Sequence, residues 1–495
     1  MSRLNVNNSR NVVTYEPGPC AGFFELTRKL QDMQQKPRLS FWQIWNMSFG
    51  FLGIQFGYAL QSGFMTRVFE TLGADEHRLP LLWLAAPLTG LIIQPIIGQM
   101  SDNTWHPRWG RRRPFFLIGA ILASVTLFFI PHSSVLWMAA GGLWILDASM
   151  NISMEPFRAL VADKLPDSQR SFGFVVQTLI IGISTWVASN LPLFISKLGV
   201  SNEADPGVVP MSVQIAFAVG AMVFILSILY TVFTTDEYPP EDLEAFRAER
   251  KENAGLANTL KEVVKNISEM PLTMRKLGVV QFFSWFAFFT MWSMANPGLT
   301  DHVFDAPKPE AIEYATSTPE AIEAYKIADK AFNDASNQVG SYMGYYGLSS
   351  MAFALLLTLW TSRRRINRKY VHMASLFAGA YGFFNMYYAN EPSDLGLSFV
   401  LIGFSWGSIL SMPYAMLSSA IDPSRMGVYM GIFNMFIVLP QIVAAFAITP
   451  LYKNLFGHEP INAMLLAGCS LALAALANLL ITNRKVMTYV PVGEA

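Results

Sequence analysis

The chain has 495 residues, of which 52% are hydrophobic, 13% aromatic and only 14% charged, with a mean hydropathy of +0.33; soluble domains are rarely so apolar over such a length. Its 35 basic residues balance its 35 acidic ones, which argues against a polyanionic partner and so against nucleic-acid binding. Two cysteines, Cys20 and Cys469, supply neither a disulfide framework nor a tetrahedral metal site.

Residues 1–40 form a polar N-terminal tail without a basic-then-apolar start or a small-residue cleavage site, so no cleavable signal peptide is expected. A hydrocarbon core needs about 20 apolar residues per helix, and twelve such runs follow. They lie near 41–64, 80–101, 112–131, 135–163, 171–196, 212–235, 275–300, 338–361, 371–390, 395–420, 425–452 and 461–483. With the N-terminus inside, the expected cytoplasmic segments hold 27 of the Lys and Arg residues and the opposite segments 7, with Arg158 alone inside a span. By the positive-inside rule both termini are cytoplasmic and the chain is a multi-pass protein of the inner membrane.

Two longer connections stand out. A cytoplasmic linker, 236–274, divides the spans six and six, into a bundle at 41–235 and a bundle at 275–484. Its segments 241–244 and 260–265 suggest an amphipathic helix on the membrane face. An external loop, 302–337, rich in Ala, Glu and Lys, suggests short surface helices, and a plain solvated loop is the competing reading of both. Residues 485–495 form a cytoplasmic tail.

The halves repeat faintly. Pro156, Arg158, Asp163 and Arg170 have counterparts in Pro413, Ala415, Asp422 and Arg425, and the loop Arg111–Arg113 has one in Arg363–Arg365. Parallel halves with a substrate site at their interface are the major-facilitator arrangement. The expected fold is therefore an all-α polytopic membrane protein of that kind, with twelve transmembrane helices in two six-helix halves.

Between the second and third spans, Gly98, Asp102, Arg108, Gly110 and Arg111, Arg112 and Arg113 can form a cytoplasmic gate with Asp163, since guanidinium groups hold carboxylates bidentately. Simple retention of positive charge on the inside competes with this reading. The fourth span carries Asp147, Asn151, Glu155 and Arg158 at spacings of four, four and three, so all four share one helical face. An ionisable group at that depth is costly unless it meets a cavity or a partner. Asp147 has no basic residue one turn away, and a carboxyl so placed suits a group that takes a proton from one side and releases it to the other. A hydrogen-bonded structural aspartate, and a structural Glu155–Arg158 pair, are the alternatives.

Several blocks resemble one family. The first span has Gly53, Gln55, Gly57, Tyr58 and Gln61; the second has Trp83, Pro87, Gly90, Gln94, Pro95 and Asp102; the fourth has Asp147, Asn151, Pro156, Arg158 and Asp163; the eleventh has Gly427, Gly431, Asn434, Ile437, Pro440 and Gln441. Together they are similar to the sucrose/proton symporters of plants and their animal and bacterial relatives, within the glycoside-pentoside-hexuronide:cation symporter group. The resemblance implies a bacterial-type sugar carrier in which Asp147 couples protons and contacts sugar, and in which Arg158 serves substrate binding or coupling. The plant pattern has Gln-Gly where this chain has Met154 and Glu155, so Glu155 is a second candidate for proton coupling, and two acids on one face could instead hold sodium.

Sugars present hydroxyls and apolar C–H faces, so their sites combine amides and carboxylates with aromatic rings. The candidates are Trp45, Asn46, Gln55, Tyr58 and Gln61 in the first span, Asp147, Asn151 and Arg158 in the fourth, Gln177 in the fifth, Gln281 and Trp285 in the seventh, and Asn434 and Gln441 in the eleventh. An interhelical hydrogen bond competes for every polar one. The expected function is import of an α-linked disaccharide such as sucrose or maltose with protons, by a monomer in the bilayer using alternating access. A sodium-coupled carrier of the same fold and a non-transporting sugar sensor are the other readings. No enzyme, cofactor or metal site is expected: the six histidines, at 77, 106, 132, 302, 372 and 458, stand singly, without a phosphate loop or nucleophile elbow.

Overall fold

A backbone surrounded by hydrocarbon must satisfy its own polar groups, and the helix is the open-ended way to do so. The computed structural model describes residues 37–239, 270–310, 318–361, 366–418, 426–482 and 488–489. A short helix, Phe41–Ser48, leads in, its first turn closed by a reciprocal cap between Ser40 and Gln43. The long helices are α1 (Gly50–Thr71), α2 (Ala85–Asp102), α3 (Arg113–Phe129), α4 (Leu136–Lys164), α5 (Asp167–Lys197) and α6 (Met211–Thr234). After the linker come α7 (Leu272–His302), α8 (Pro319–Thr361), α9 (Arg368–Tyr388), α10 (Leu395–Ser418), α11 (Met426–Asn454) and α12 (Asn462–Ala477).

Nine helices among the described residues are long and apolar enough to cross a membrane. The other three, α1, α4 and α9, are of similar length at 22, 29 and 21 residues. Leu226, Phe233, Leu356 and Phe446 stand exposed on the perimeter, as lipid-facing side chains do. The chain is a multi-pass membrane protein.

Packing shows the repeat more clearly than sequence does. In the first half α1 packs on α5 and α6, α2 on α4, and α3 on α4 and α6; in the second, α7 packs on α11 and α12, α8 on α10, and α9 on α10 and α12. Among the interfaces between halves, α5 with α8 and α2 with α11 are equivalents under this repeat, but the first is far more extensive, and α1 also packs on α7 and α8. Small residues make that approach possible: a Cβ on Gly182 would lie 2.6 Å from the Cβ of Met351, and one on Gly347 2.7 Å from Cγ2 of Thr185.

We call the end bearing Arg111–Arg113 the basic end and the opposite one the far end. At the far end α8 departs from expectation. It begins at Pro319 rather than near 338, so most of the expected surface helix is one continuous 43-residue rod with the span. The expected amphipathic helix of 236–274 falls largely at 240–269 and, with residues 1–36 and 363–365, lies outside the described residues. Of the C-terminal tail, Thr488–Tyr489 (β2) pairs antiparallel with Ile366–Asn367 (β1).

At the basic end the chain after α6 returns to staple the α2–α3 loop. Glu237 accepts hydrogen bonds from the backbone N–H groups of Arg111 (2.9 Å), Arg112 (2.9 Å) and Arg113 (2.9 Å) at the start of α3, where the helix dipole favours an anion. Gly110 makes room: its φ is +73°, and a Cβ there would sit 2.5 Å from Oε1 of Glu237. Arg112 completes the staple through Asp163 (3.0 Å) and the Ser101 hydroxyl (2.6 Å). Glu237→Ala is therefore expected to lower stability by about 2–4 kcal/mol, since a bond to a charged acceptor contributes ~1.5–3 kcal/mol and several are lost. Glu237→Gln, which keeps one acceptor, should lose less. Thermal melts of the detergent-purified variants check both, and equal, negligible losses would contradict the staple.

Candidate functional site

Helix α4 aims its polar face at α1 and α2. Asp147 is 1% exposed, and its Oδ1 accepts a 3.0 Å hydrogen bond from Nε2 of Gln61 on α1. Its Oδ2 has no partner among the described residues. No cation neutralises it there, so a buried carboxyl rests on one amide donor. One turn on, Asn151 donates to the Asp147 carbonyl (2.9 Å), and its Oδ1 accepts from Nε2 of Gln94 on α2 (2.7 Å). Gln94 in turn accepts from Nδ2 of Asn434 on α11 at 3.2 Å. The chain Asn151–Gln94–Asn434 thus crosses from one half to the other, and the spacing that put Asp147 and Asn151 on one face of α4 has real partners.

Five residues beyond Gln61, or ~7.5 Å along α1, the Thr66 hydroxyl donates to the Trp292 carbonyl (3.3 Å). Trp292 belongs to an aromatic cluster of the second half. Trp406 on α10 lies 5.3 Å from Trp285, 5.5 Å from Trp292, 4.8 Å from Phe288 and 6.4 Å from Tyr346 between ring centroids. Among the described residues the indole N–H of Trp285 has no hydrogen-bond partner, nor does either polar atom of the fully buried Gln281 one turn before it. Gln177 on α5 is also buried, its Nε2 without a partner among the described residues. Gln55 and Tyr58 are half-buried on α1, at three-residue steps before Gln61. Amide, carboxyl and indole groups with unused hydrogen-bonding capacity thus flank α1 from both halves.

Other expected residues lie elsewhere. Trp45 and Asn46 belong to the lead-in helix at the basic end, sixteen and fifteen residues before Gln61, ~24 Å along the axis. Asn46 accepts from the Tyr230 hydroxyl at 2.9 Å. Gln441 donates to the carbonyl of Ile437 on its own helix (3.0 Å) rather than across. No ion pair joins Glu155 and Arg158: Arg158 is exposed, while Glu155 faces α2, its Cγ 3.9 Å from where a Cβ on Gly98 would lie. A shared face brings side chains within reach without obliging them to pair. Glu155 is two turns from Asp147 and makes no direct contact with it, although both acids and Arg158 lie within electrostatic reach of Tyr58. The latch arginines have partners within the first half: Arg112 with Asp163, Arg113 with Glu237, and Arg111 with the Ser101 carbonyl (3.3 Å), while Arg108 lends its own carbonyl to Arg113. The Asp102 side chain lies outside the described residues.

Sequence alone leaves Arg158 as the only basic residue inside a span. Arg67 overturns this: it is fully buried in the last turns of α1, where hydropathy had already ended the helix. Glu70, Asn296, Asn333 and Asn337 gather around it, and Trp406 and Tyr346 were likewise not foreseen. Because Arg158 is exposed and leaves no buried partner behind, Arg158→Ala is expected to change stability by no more than ~0.5 kcal/mol. A thermal melt of the purified variant checks this, and a loss of several kcal/mol would mean that the arginine is structural.

The solved structures it resembles show the fold: the nucleoside transporter NupG, at 14% identity, has a TM-score of 0.57 with 89% of this chain and 98% of that one covered. The xylose transporter XylE from E. coli, in an inward open conformation, is also 14% identical with a TM-score of 0.57, covering 88% and 95%. Among curated proteins, the chain is 22% identical to the sucrose transport protein SUC4 of Arabidopsis thaliana, over 82% of this chain and 83% of the relative. It is 24% identical to the sucrose transport protein SUT3 of Oryza sativa subsp. japonica, over 87% and 90%. It is also 27% identical to the general alpha-glucoside permease of Schizosaccharomyces pombe, over 48% and 44%. The long helices among the described residues fall into two matching halves, and the family model described as Major Facilitator Superfamily matches residues 47–445, so the chain belongs to that superfamily.

Proposed function

We propose that the chain imports an α-linked disaccharide of the sucrose or maltose kind across the inner membrane together with protons, as a monomer working by alternating access with both termini cytoplasmic. The observation that carries this reading is Asp147: a fully buried carboxyl with one amide donor, a free second oxygen, and an aromatic cluster on the other side of α1. The printed activities of the relatives, sucrose transport and alpha-glucoside permeation, support the substrate class.

A proton on Oδ2 of Asp147 removes a charge that hydrocarbon surroundings penalise and turns an acceptor into a donor for a sugar hydroxyl. Gln61, Asn151, Gln177 and Gln281 supply amides for other hydroxyls, and Trp285 and Trp406 a flat wall for the C–H face of a ring. Loss of the proton to a more alkaline cytoplasm restores the charge and weakens sugar binding. Halves that part at one end while meeting at the other give each side access in turn. On this reading the basic end faces the cytoplasm.

Asp147→Asn keeps size and hydrogen bonding but cannot carry a proton. In proteoliposomes it is expected to abolish accumulation of labelled sucrose or maltose, leaving internal and external concentrations equal, while sugar-for-sugar counterflow persists. Accumulation by the Asn variant, with protons following sugar at the parental ratio, would assign the proton to another group.

A further inference from the structure

At the far end α1 carries two buried charges that feel each other electrostatically but make no direct bond. Arg67 donates from Nε to Oδ1 of Asn333 (2.9 Å) and from Nη1 to Oδ1 of Asn337 (2.6 Å), both on α8. Glu70 accepts at Oε2 from Nδ2 of Asn296 on α7 (2.8 Å). Arg67 is 0% and Glu70 4% exposed, and Nη2 of the first and Oε1 of the second have no partner among the described residues. They stand three apart on one helix, a spacing at which opposite charges reach one another, yet no ion pair joins them. Each is drawn instead across the interface to the second half.

The identity of the partners decides what opening costs. Parting a direct ion pair would strand a charge on each side; here the carboxylates of Asp329 and Asp334 on α8 and the ammonium of Lys308 act on Arg67 and Glu70 from beyond the amides that bind them, without a direct ion pair. Neutral amides can be rehydrated without that penalty. The two charges left on α1 then have each other within reach, so the helix offers a second set of bonds of its own. Asn333 is itself positioned by Asp329 (2.7 Å) and the Asn202 carbonyl (3.2 Å), whereas Asn337 has Arg67 as its described partner.

We infer that Arg67 and Glu70 form a partner-exchange clamp: bound to Asn333, Asn337 and Asn296 while the far end is shut, and to one another along α1 when it opens. The helices that carry the clamp also carry Gln61, Trp285 and Trp292. Resting on the sugar reading above, a sugar held between α1 and α7 therefore pulls directly on the clamp.

The test uses the full-length protein in lipid nanodiscs without sugar or ion gradient, so an error in substrate or coupling ion leaves it untouched. With Cys20 and Cys469 replaced by alanine, spin labels at Leu198→Cys after α5 and Glu391→Cys before α10 report the far-end separation by pulsed electron resonance. Asn337→Leu, and separately Arg67→Lys, weaken the clamp but keep the intrahelical pair, and each is expected to raise the ratio of long to short distances by about tenfold, the equivalent of one charged hydrogen bond. Glu70→Gln still accepts from Asn296 but cannot pair with Arg67. Added to Asn337→Leu, it should reverse most of that rise. Asn333→Leu gives a second removal from α8 should α1 variants fail to fold. An unchanged distribution in the α8 variants, or a further rise on adding Glu70→Gln, would overturn the clamp.

Discussion

Helix α1 has almost no polar group that could be left to lipid, and the bundle is arranged around meeting that demand. Its Gly50 N–H is taken by Thr231 of α6 (2.8 Å) and its Leu52 carbonyl by Ser184 of α5 (2.6 Å). Gln61 reaches α4, Thr66 and Glu70 reach α7, and Arg67 reaches α8. An unmet polar group in hydrocarbon costs several kcal/mol, so five neighbours are fixed around one helix by its backbone and side-chain polar groups. Glycines let α6 come close enough: a Cβ on Gly53 would overlap the Ser227 hydroxyl at 2.2 Å. Because three of those neighbours belong to one half and two to the other, α1 reads both halves at once.

The unequal interfaces follow from this arrangement. Near the far end α5 and α8 are locked by glycine approaches and by Ser341 to Asn190 (2.6 Å) and Asn202 to Asp334 (2.7 Å). At mid-depth the bond from Asn434 to Gln94 joins α11 to α2. The loops of the basic end are tied within their own half by Glu237, Asp163 and Asp236. A structure shut at one end by cross-half bonds, with its other end stapled half by half, is the geometry an alternating carrier needs: each half behaves as a rigid body, and the bonds to be exchanged lie at the ends.

Much of this was legible in the sequence. Apolar runs located the helices, and the charge asymmetry of their loops paired with a six-and-six division that packing reproduces. Helical spacing put Asp147 and Asn151 on one face, and the amides of α1, α2 and α11 supplied their partners. What escaped depends on tertiary geometry. Arg67 and Glu70 depress hydropathy, so the apolar run ends at 64 and sequence alone places both charges in a loop. The Ala-, Glu- and Lys-rich start of α8 reads as a surface helix because it projects beyond the apolar stretch. Glu237 becomes a cap only when the chain after α6 folds back on α3, and three tryptophans on α7 and α10 look solitary until those helices meet. Conversely, Trp45 and Asn46 have suitable chemistry at the wrong depth, and the spacing of Glu155 and Arg158 permits a pair that the surroundings do not form.

The central claim is that sugar and proton move together through the site at Asp147. It is tested most directly by adding sugar to a weakly buffered suspension of proteoliposomes, clamped at zero potential with potassium and valinomycin, and following external pH. Sucrose or maltose should make the medium more alkaline as protons enter with sugar, with the same response in sodium-free buffer. Saturable sugar uptake without any pH change, or a response that requires sodium, would contradict the account.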